Sequence, residues 1–356
     1  MIDVFYKIKS LHEANVKIHL HCYQYDRQQS KELEKYCEKV YYYKRENKKR
    51  FLFHKYPYII RSRKNEQLLE NICRDDFPVL FEGLHTCYYL ENIKLKNKTK
   101  VIRTYNVEHQ YYKELANVER NVFRKYFFYN EAFRLRLFEK KLHHAHKILA
   151  ISQSDQEYFF EKFGEKSEYI PCFHSCTNIS SQEGIGKYAL YHGNLQVGEN
   201  NHAAMYLVTK VFDNLDYPLK IAGNSPSKNL KSEITKRKNV ELIENPDEEQ
   251  LKYLLRNAHV NVLPTFQNTG IKLKLIHSLF TGRHCIVNSD MIKNTGLEEL
   301  CEFAEDVESF RSKILALKDT HFGTDEVKRR ETILKNNFSN KLNAIKLLKV
   351  LFGANN

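Results

Sequence analysis

The sequence predicts an α/β protein built from two doubly wound domains. Short apolar segments of strand length alternate with longer helical segments along most of the chain, which is typical of parallel sheets covered by helices on both faces. This alternation occurs twice, on either side of the polar stretch HSCTNISSQEGIGK at 174–187, which we interpret as a linker. The length of 356 residues is sufficient for two domains with full cores.

The first domain is predicted over residues 1–173. The chain begins inside a predicted helix, whereas a doubly wound domain normally opens with a strand and a Gly-rich turn, so either these precede the sequence or the first sheet is one strand short. Further helices are predicted over 30–40, near 65–74, from about 108 to 147, and over 154–164. The predicted strands lie in VKIHLHC (16–22), VYYYKR (40–45), PVLFEG (78–83), KVIRTY (100–105) and KILAIS (147–152), and EYIPCF (168–173) closes this half.

The second domain is predicted over residues 188–330, followed by a C-terminal helix in 331–356. Its predicted strands lie in YALYHGN (188–194), PLKIAGN (218–224), NVELIEN (239–245), VNVLPT (260–265) and HCIVNS (284–289). Its helices are predicted near 199–213, 227–236, 248–258, 271–281, 297–317 and 325–351.

Composition argues against a membrane-spanning protein, a secreted protein and a zinc-binding protein, and the charge suggests anionic partners. The net charge of +13 suits partners such as nucleic acid, an anionic membrane face or nucleotide phosphates, and it equally fits a basic solvated surface. No window approaches the ~18 apolar residues of a membrane span, and the N-terminus lacks a signal-peptide core, so we expect a cytoplasmic protein. The eight Cys show no CxxC pair. The cluster CFHSC (172–176) lacks a fourth ligand nearby, and we predict no metal.

The segment PTFQNTGIKLKLIHSLFTGRHCIVN (264–288) combines a strand end, a polar loop and a helix. Helices prefer acidic residues in their first turn, but this one has Lys272 and Lys274 there and no carboxylate. On a helical wheel Lys272 falls inside the apolar arc, whereas Lys274, His277 and Ser278 fall in the polar arc. A phosphate on the exposed N–H groups would offset both the helix dipole and Lys272. Alternatively, Lys272 snorkels or pairs with a carboxylate.

Other strand ends repeat this geometry. Gly193 and Asn194 end one strand segment, and Gly223 and Asn224 end the next. We expect both pairs on the same sheet edge as the 264–272 loop, where glycine lets a backbone approach a ligand, although each is also an ordinary turn residue.

Polar residues also follow a strand of the first domain. Tyr105, Asn106, Glu108 and His109 lie just beyond KVIRT, where a His and a carboxylate can perform acid–base work or bind hydroxyls. The alternative is that Asn106 caps a helix and His109 is merely exposed.

These motifs resemble those of GT-B glycosyltransferases, in the large retaining family that uses nucleotide-sugar donors. LPTFQNTGIKLKLIHSLFTGRHCIV (263–287) is similar to the donor segment of that family, and YHGNLQVGENNHAA (191–204) to the first turn of its C-terminal domain. RTYNVEHQYY (103–112) and KILAISQSDQEYF (147–159) resemble its N-domain strand ends. The likeness covers nearly the whole chain and is greatest to a group associated with Bacteroidetes surface-polysaccharide clusters.

The resemblance implies two Rossmann-like domains facing each other across a cleft, the first without its opening strand, and a final helix that crosses back to the first domain. It implies transfer of a sugar from a UDP- or GDP-linked donor to a hydroxyl of a glycan or lipid-linked glycan in surface-polysaccharide synthesis, with no cofactor and usually no metal. The implied catalytic residues are Tyr105, Glu108, His109 and Lys272. The implied donor-binding residues are Gly193, Asn194, Gly223, Asn224, Thr269, Gly270, Lys272, Lys274 and His277.

The sequence departs from the family pattern at several of these positions. Two glutamates that the family often carries correspond to Thr269 and His277, and a basic residue corresponds to Asn194. The N-domain histidine corresponds to Tyr105, with His109 four residues later. These departures leave open an alternative function, a catalytically degenerate GT-B scaffold that binds a nucleotide or a partner without turnover.

Basic segments of the first domain suggest a further partner. KRENKKR (44–50), RSRK (61–64) and the aromatic, basic helix at 119–142 could hold the anionic inner face of a membrane peripherally, or they form an ordinary wet surface. Tyr and Phe of 119–142 could also stack bases, but no motif supports nucleic-acid binding, which we do not expect.

Overall fold

A computed structural model describes residues 2–24, 28–266 and 273–353 of the chain, and these residues form two compact units. The first unit comprises residues 2–24, 28–174 and 338–353, and the second comprises residues 175–266 and 273–337. The strands of both units pair in parallel. No helix among the described residues is long and apolar enough to cross a membrane.

The strands are β1 (His19–Gln24), β2 (Lys39–Lys44), β3 (Val79–Glu82), β4 (Lys100–Thr104), β5 (Lys147–Ala150), β6 (Ser167–Tyr169), β7 (Tyr188–His192), β8 (Leu219–Gly223), β9 (Val240–Glu244), β10 (Ala258–Leu263), β11 (His284–Val287) and β12 (Glu302–Phe303). The helices are α1 (Ile2–Glu13), α2 (Lys31–Glu34), α3 (Tyr58–Arg61), α4 (Glu66–Ile72), α5 (Glu108–Val118), α6 (Val122–Glu139), α7 (Gln153–Phe163), α8 (Gly198–Tyr206), α9 (Lys228–Thr235), α10 (Glu248–Asn257), α11 (Leu273–Thr281), α12 (Ser289–Ile292), α13 (Val307–Leu317), α14 (Thr324–Phe338) and α15 (Asn340–Phe352).

The first unit contains two parallel sheets. One has the order β1-β2 and the other the order β3-β4-β5-β6. Strand β4 is buried at every position, as expected for a parallel strand covered on both faces. The largest core cluster of this unit includes Ile102 of β4, Ile148 of β5, and Leu135 and Phe138 of α6. The inward face of α6 is therefore part of the core beneath the sheet.

Helix α15 belongs to the first unit although it ends the described chain. Leu347 and Leu351 join a buried cluster with Leu11 of α1, Val101 of β4 and Leu149 of β5. The entry into this helix is fixed by polar contacts in the same unit, since Asn340 Nδ2 donates to the carbonyl oxygen of His174 at 2.7 Å. Residues far apart in sequence thus complete one hydrophobic core.

The second unit has one six-stranded sheet with the order β9-β8-β7-β10-β11-β12. Numbered from β7, this is the order 3-2-1-4-5-6 of a Rossmann-type sheet. Strands β7 and β10 are buried at every position, which explains why their sequences are nearly continuous apolar runs.

Several predicted helices are shorter than their periodicity suggests. The helix predicted over 30–40 is confined to α2, because the Glu38 N–H already donates to the Ile18 carbonyl oxygen at 2.9 Å to begin the pairing of β1 with β2. The region 108–147 breaks where Asn121 caps α6 by accepting from the Arg124 N–H at 3.1 Å. The region 325–351 breaks where Ser339 caps α15. The region 297–317 contains β12, and α13 begins only after the Asp306 cap.

Candidate functional site

The carboxyl edge of the second unit's sheet brings predicted donor-binding segments together. Strands β7 and β10 are neighbours at the centre of the sheet, and the strands that follow them lie on opposite sides. Open parallel sheets bind ligands at such a switch point, outside the carboxyl ends of the strands. Gly193 directly follows β7, and Pro264 directly follows β10, so two loops singled out from the sequence begin at this switch point.

Gly223, the last residue of β8, has a packing reason to lack a side chain. A Cβ atom at this position would overlap the carbonyl oxygen of Gly193 and would lie 2.8 Å from the Leu195 side chain. The Gly193 N–H donates to the carbonyl oxygen of Ala222 at 3.1 Å, which holds the two strand ends close. The close approach of these two backbones is sufficient to require a glycine at position 223, whether or not a ligand binds there. The predicted contact of Gly193 and Gly223 with a ligand stays a prediction.

The two predicted asparagines differ in their surroundings. Asn194 Oδ1 accepts from the Gln196 N–H at 3.1 Å, and its carbonyl oxygen accepts from Asn200 Nδ2 at 3.0 Å. Asn194 thus shapes the loop between β7 and α8. Asn224 is exposed to solvent beyond β8. These surroundings do not decide whether the Asn194 and Asn224 side chains contact a nucleotide, so both donor-binding roles stay predictions.

Lys274 lies in the first turn of α11 and contacts groups at the end of β7 and the start of α8. Its ammonium donates to Asn200 Oδ1 at 2.8 Å and to the Tyr191 hydroxyl at 3.3 Å, and it lies 5.1 Å from the centre of the Tyr191 ring. Burial lowers the pKa of Lys274, while the charge of Glu199 acts in the opposite direction. The polar arc of the predicted helix is therefore not a solvent face but points into the switch point.

Glu199, in the first turn of α8, supplies the carboxylate that α11 lacks in its own first turn. Its Oε1 accepts from the Thr265 hydroxyl and from the Phe266 N–H. Its Oε2 lies 4.0 Å from Lys274 Nζ. The Glu199 carboxylate therefore offsets part of the positive charge at the start of α11. Pairing with a carboxylate was the alternative given in the sequence analysis for Lys272, and here it is seen for Lys274.

Two neutral histidines, His192 and His277, lie near Lys274. Burial lowers the pKa of His192 to about 3, helped by the nearby His277 and Lys274, and His192 Nε2 lies 3.1 Å from Ser278 Oγ. Burial also lowers the pKa of His277, whose Nε2 lies 3.3 Å from Ser175 Oγ. A neutral His277 can donate one hydrogen bond but cannot reproduce a carboxylate.

Three predicted residues of the donor loop, Thr269, Gly270 and Lys272, lie outside the described residues. Their proposed roles at the helix start stay predictions.

In the first unit, His109 is the end of a hydrogen-bonded chain of side chains. His109 Nε2 lies 2.7 Å from the Tyr158 hydroxyl, which donates to Glu139 Oε1 at 2.7 Å. Lys162 Nζ donates to the same carboxylate oxygen at 2.7 Å. The Tyr158 hydroxyl has one proton, which it donates to Glu139. His109 Nε2 must therefore be the donor to the Tyr158 oxygen, which leaves Nδ1 of the neutral ring as an acceptor. Burial lowers the pKa of His109, against the effect of Glu139, so the ring is neutral near pH 7.

Glu108 is a partly buried residue whose carboxyl is influenced by the neighbouring carboxyl of Asp155. Burial raises the pKa of Glu108 to about 7, with Arg63 lowering it and Asp155 raising it. Burial also raises the pKa of Asp155 to about 6. Two carboxyl groups with pKa values near neutrality at the ends of β4 and β5 can exchange protons with a hydroxyl substrate.

Tyr105 is held in a buried ion cluster composed of Asp3, Lys7, Glu82 and Arg103. Its hydroxyl donates to Glu82 Oε2 at 2.5 Å and lies 3.2 Å from Asp3 Oδ2. Arg103 is fully buried and contacts both oxygens of Asp3, at 2.8 and 3.1 Å. Lys7 Nζ bridges Asp3 and Glu82, at 3.0 and 2.7 Å. The phenol is thus engaged inside the unit, and the catalytic role of Tyr105 stays a prediction.

The alternative interpretation of the 106–109 segment is wrong. The residue that caps α5 is Val107, which makes no side-chain cap bond. His109 is not a surface residue, since only 16% of its side chain is exposed and the ring is hydrogen-bonded to Tyr158. The physical reason is that α6 and α7 supply partners that the local sequence does not contain.

The CFHSC cluster has a structural explanation. His174 is fully buried, and its Nε2 lies 2.7 Å from the carbonyl oxygen of Phe338. Cys172 is also buried. Within the ranges that the structure describes, no group of three or more His, Cys, Asp or Glu side chains could hold a metal ion.

Sequence reasoning missed several polar residues around the predicted sites. Glu199 and Asn200 lie at the start of the helix predicted near 199–213, and the structure places both beside Lys274. Glu139 and Tyr158 lie in helices that read as ordinary amphipathic segments. Position in the sequence could have indicated Glu199 and Asn200 as site residues, because they lie at the start of the helix that follows strand β7 and Gly193.

Comparisons with known proteins are informative about the fold. No family model matches the sequence. A protein of Klebsiella pneumoniae, described as an uncharacterized 44.6 kDa protein in the cps region, is 26% identical over 312 residues, which cover 83% of this chain and 80% of the relative.

Solved structures resemble the chain over nearly its whole length. A glycosyltransferase from Rickettsia africae has a TM-score of 0.66 at 13% identity and covers 98% of this chain and 93% of its own. The Anabaena protein HepE, solved with UDP and glucose, has a TM-score of 0.66 at 10% identity, with coverages of 98% and 95%. Sucrose-phosphate synthase from Thermosynechococcus elongatus has a TM-score of 0.65 at 13% identity, with coverages of 98% and 91%.

The chain has the GT-B fold.

The fold class predicted from the sequence is thereby confirmed, since both GT-B units are α/β with parallel sheets. The likeness to the Bacteroidetes group stays a prediction. The switch point of the second GT-B unit and the His109 and Glu108 region of the first are the two candidate sites for chemistry.

Proposed function

We propose that the chain is a glycosyltransferase. In this proposal it transfers a sugar from a UDP- or GDP-linked donor to a hydroxyl of a glycan or lipid-linked glycan during cell-surface polysaccharide synthesis. It works in the cytoplasm, in peripheral contact with the inner face of the membrane, without a metal or a cofactor. Retention of the anomeric configuration follows from the family resemblance.

The observation that carries the proposal is the switch point of the second unit. Two helices, α8 and α11, follow the two central strands β7 and β10. Their first turns come together there, since Lys274 of α11 contacts Asn200 of α8. A helix start presents unpaired N–H groups and a positive dipole end, which suit a diphosphate.

The comparisons support the same chemistry. HepE, which shares the fold, was solved with UDP and glucose, and the Klebsiella relative comes from a cps region. A nucleotide-sugar donor and a polysaccharide acceptor are the substrates that these two neighbours suggest.

Catalysis in this proposal is mainly electrostatic. Lys272 and the first turn of α11 stabilise the negative charge that develops on the departing diphosphate. Lys274 contributes a second, partly buried cation. In the first unit, the Nδ1 atom of neutral His109 accepts a hydrogen bond from a sugar hydroxyl, and Glu108 accepts or returns a proton near neutral pH.

Nucleotide-dependent stability tests the donor part of the proposal. UDP- and GDP-sugars are titrated against the unfolding temperature of the full chain, and a concentration of 100 times Kd should stabilise it by about 2.7 kcal/mol. Lys272→Ala should abolish the shift and Lys274→Ala should weaken it. Lys252→Ala, at an exposed position of α10, serves as the matched control and should bind like the wild type. The absence of any shift at millimolar nucleotide would contradict the proposal.

The degenerate scaffold remains a second candidate because of Tyr105. This residue occupies the position of the family's N-domain histidine, and its hydroxyl is engaged with Glu82 and Asp3. A scaffold of this kind would bind nucleotide but would not release nucleoside diphosphate when an acceptor is added. A nucleotide-dependent stability shift without turnover on any glycan or lipid-linked acceptor would favour this candidate.

A further inference from the structure

Helix α6 exposes an apolar stripe along its length, in which one residue, Tyr129, also donates a hydrogen bond from its hydroxyl to Asn117 Oδ1 of α5 at 2.8 Å. Val122, Tyr126, Tyr129, Phe133 and Leu137, here called the α6 stripe, are spaced three or four residues apart and so lie on one face of the helix. Tyr126 is 73% exposed, Phe133 64% and Val122 75%. Single exposed apolar residues are ordinary, but a continuous row of them marks an interaction surface.

The stripe is not the face that α6 uses for folding. The opposite side of the helix carries Leu135 and Phe138, which are buried in the core of the first unit. Helix α6 is therefore apolar on two faces, and only one of them is used by the chain's own core. A helix with this pattern needs a second apolar environment.

The charges beside the stripe identify that environment. The two acidic residues of α6, Glu131 and Glu139, are both buried. Arg136 follows Phe133 by three positions, and Lys140, directly after α6, follows Leu137 by three, so both lie along the stripe, and both are exposed. The outward side of the helix therefore combines an apolar centre with cations and carries none of the helix's carboxylates.

A bilayer containing anionic lipids has the complementary pattern, since it offers an apolar layer beneath negatively charged headgroups. A second copy of the chain would bring the same cations against one another, which disfavours a symmetric pairing of two stripes.

We propose that α6 docks the first unit onto an anionic lipid bilayer, lying in the plane of the interface with the α6 stripe among the acyl chains and the basic residues at the headgroups. This inference deepens the proposed function and rests on it for the identity of the acceptor, which would be presented at the same surface as a lipid-linked glycan. Lipid binding itself needs neither donor nor acceptor.

Vesicle flotation of the full chain tests the docking surface. We expect binding to vesicles of phosphatidylcholine with about a quarter phosphatidylglycerol to be at least about tenfold stronger than to phosphatidylcholine alone. Phe133→Ser combined with Leu137→Ser should reduce binding to the anionic vesicles by about tenfold or more. Tyr253→Ser combined with Ile185→Ser removes two residues of the second unit that are also exposed and should leave binding unchanged.

A tryptophan reporter tests insertion directly, because the chain contains no Trp. Phe133→Trp should show a blue-shifted emission when anionic vesicles are added, whereas Tyr253→Trp should not. All variants lie at exposed positions, so their thermal unfolding should match that of the wild type. This similarity verifies that any loss of binding is not a loss of folding.

Equal vesicle binding by the wild type and the Phe133→Ser/Leu137→Ser variant would overturn the inference. A wild-type dimer in sedimentation that this variant converts to a monomer would overturn it in favour of a second copy. Salt-sensitive RNA binding through the stripe, without vesicle binding, would overturn it in favour of nucleic acid. Failure of the UDP-sugar stability shift with vesicle binding intact would count against the proposed function alone.

Discussion

At the residue scale, the buried ion cluster around Arg103 shows how a long-range contact determines what one side chain can do. Arg103 is fully buried and is paired with Asp3, 100 positions away in sequence. Burial alone would raise the pKa of Asp3, but the charges of Lys7 and Arg103 and the hydrogen bond from the Phe173 N–H lower it below its ordinary value. The cluster fixes the end of β4 and draws the Tyr105 hydroxyl inward.

Removing one partner of this cluster should be strongly destabilising. Arg103→Met leaves the buried Asp3 carboxylate without the charge and the two hydrogen bonds of the guanidinium, and we expect a loss of about 3–5 kcal/mol in the free energy of unfolding. The double variant Arg103→Met/Asp3→Leu removes both charges and should be less destabilised than the single variant. Urea denaturation measures both. A double variant as unstable as the sum of the two single variants would refute the coupling.

The raised pKa of Glu108 predicts a pH-dependent stability. Burial raises it from 4.5 to about 7, so the folded protein holds the proton more tightly than the unfolded chain. The wild type should therefore lose stability relative to Glu108→Gln as the pH rises through this interval, by about 1–3 kcal/mol between about pH 5 and about pH 8.

Urea denaturation at both pH values measures the Glu108 effect. Glu157→Gln, at an exposed position of α7, is the control and should show no comparable difference. An equal pH dependence in the wild type and Glu108→Gln would show that this carboxyl does not titrate in the folded state as described.

At the element scale, the close approach of strand ends β7 and β8 predicts a strict requirement for glycine. Gly223→Ala places a Cβ against the Gly193 carbonyl oxygen, and we expect a cost of about 1–3 kcal/mol together with weaker nucleotide binding. Gly198→Ala, at the first residue of α8, has nothing within 4 Å of the added Cβ and should be neutral or slightly stabilising. Thermal unfolding with and without nucleotide compares the two. Equal stability of both variants would contradict the packing argument.

Elements also show where periodicity failed as a predictor. Helix α2 ends at Glu34, although the apolar spacing continues beyond it, because strand pairing takes the backbone of Glu38. Ser339 separates α14 from α15 by capping the second helix. In both cases a hydrogen bond decides the boundary, and the apolar pattern contains no information about it.

At the scale of the whole molecule, the end of the chain stabilises a unit that begins at the other end. Leu347 of α15 is fully buried in the cluster with Leu11 and Val101, so Leu347→Ala should cost about 2–5 kcal/mol. Leu342→Ala lies on the same helix at a position that is 41% exposed and should cost less than about 1 kcal/mol. Amide hydrogen exchange should locate the loss in the first unit. Loosening of the second unit instead would contradict this assignment of α15.

Much of the architecture could be predicted because it is encoded locally. The segments YALYHGN, PLKIAGN and HCIVNS each contain a strand, β7, β8 and β11 respectively, since a buried parallel strand is a short apolar run bounded by polar turns. The two-residue strand β12 was missed because Glu302 and Phe303 carry no such run. Its strand character comes from pairing with β11.

The candidate site was predictable in part. Lys274 and His277 follow a strand end in a segment that resembles a donor loop, and the structure places Lys274 beside the ends of central strand β7 and helix α8, while the donor-binding role of both residues stays a prediction. Their partners were not predictable, since Asn200 is 74 positions away from Lys274 and Ser175 is 102 positions away from His277.

The sequence by itself determined that this protein is a doubly wound α/β chain with two units, because helix and strand periodicities are written in neighbouring residues. Only the tertiary structure decided that Lys274 faces Glu199, that Tyr105 is engaged in an ion cluster, and that one apolar face of α6 is left uncovered. These features depend on contacts between distant segments, and the energy of such a contact is defined only once folding has brought the two groups together.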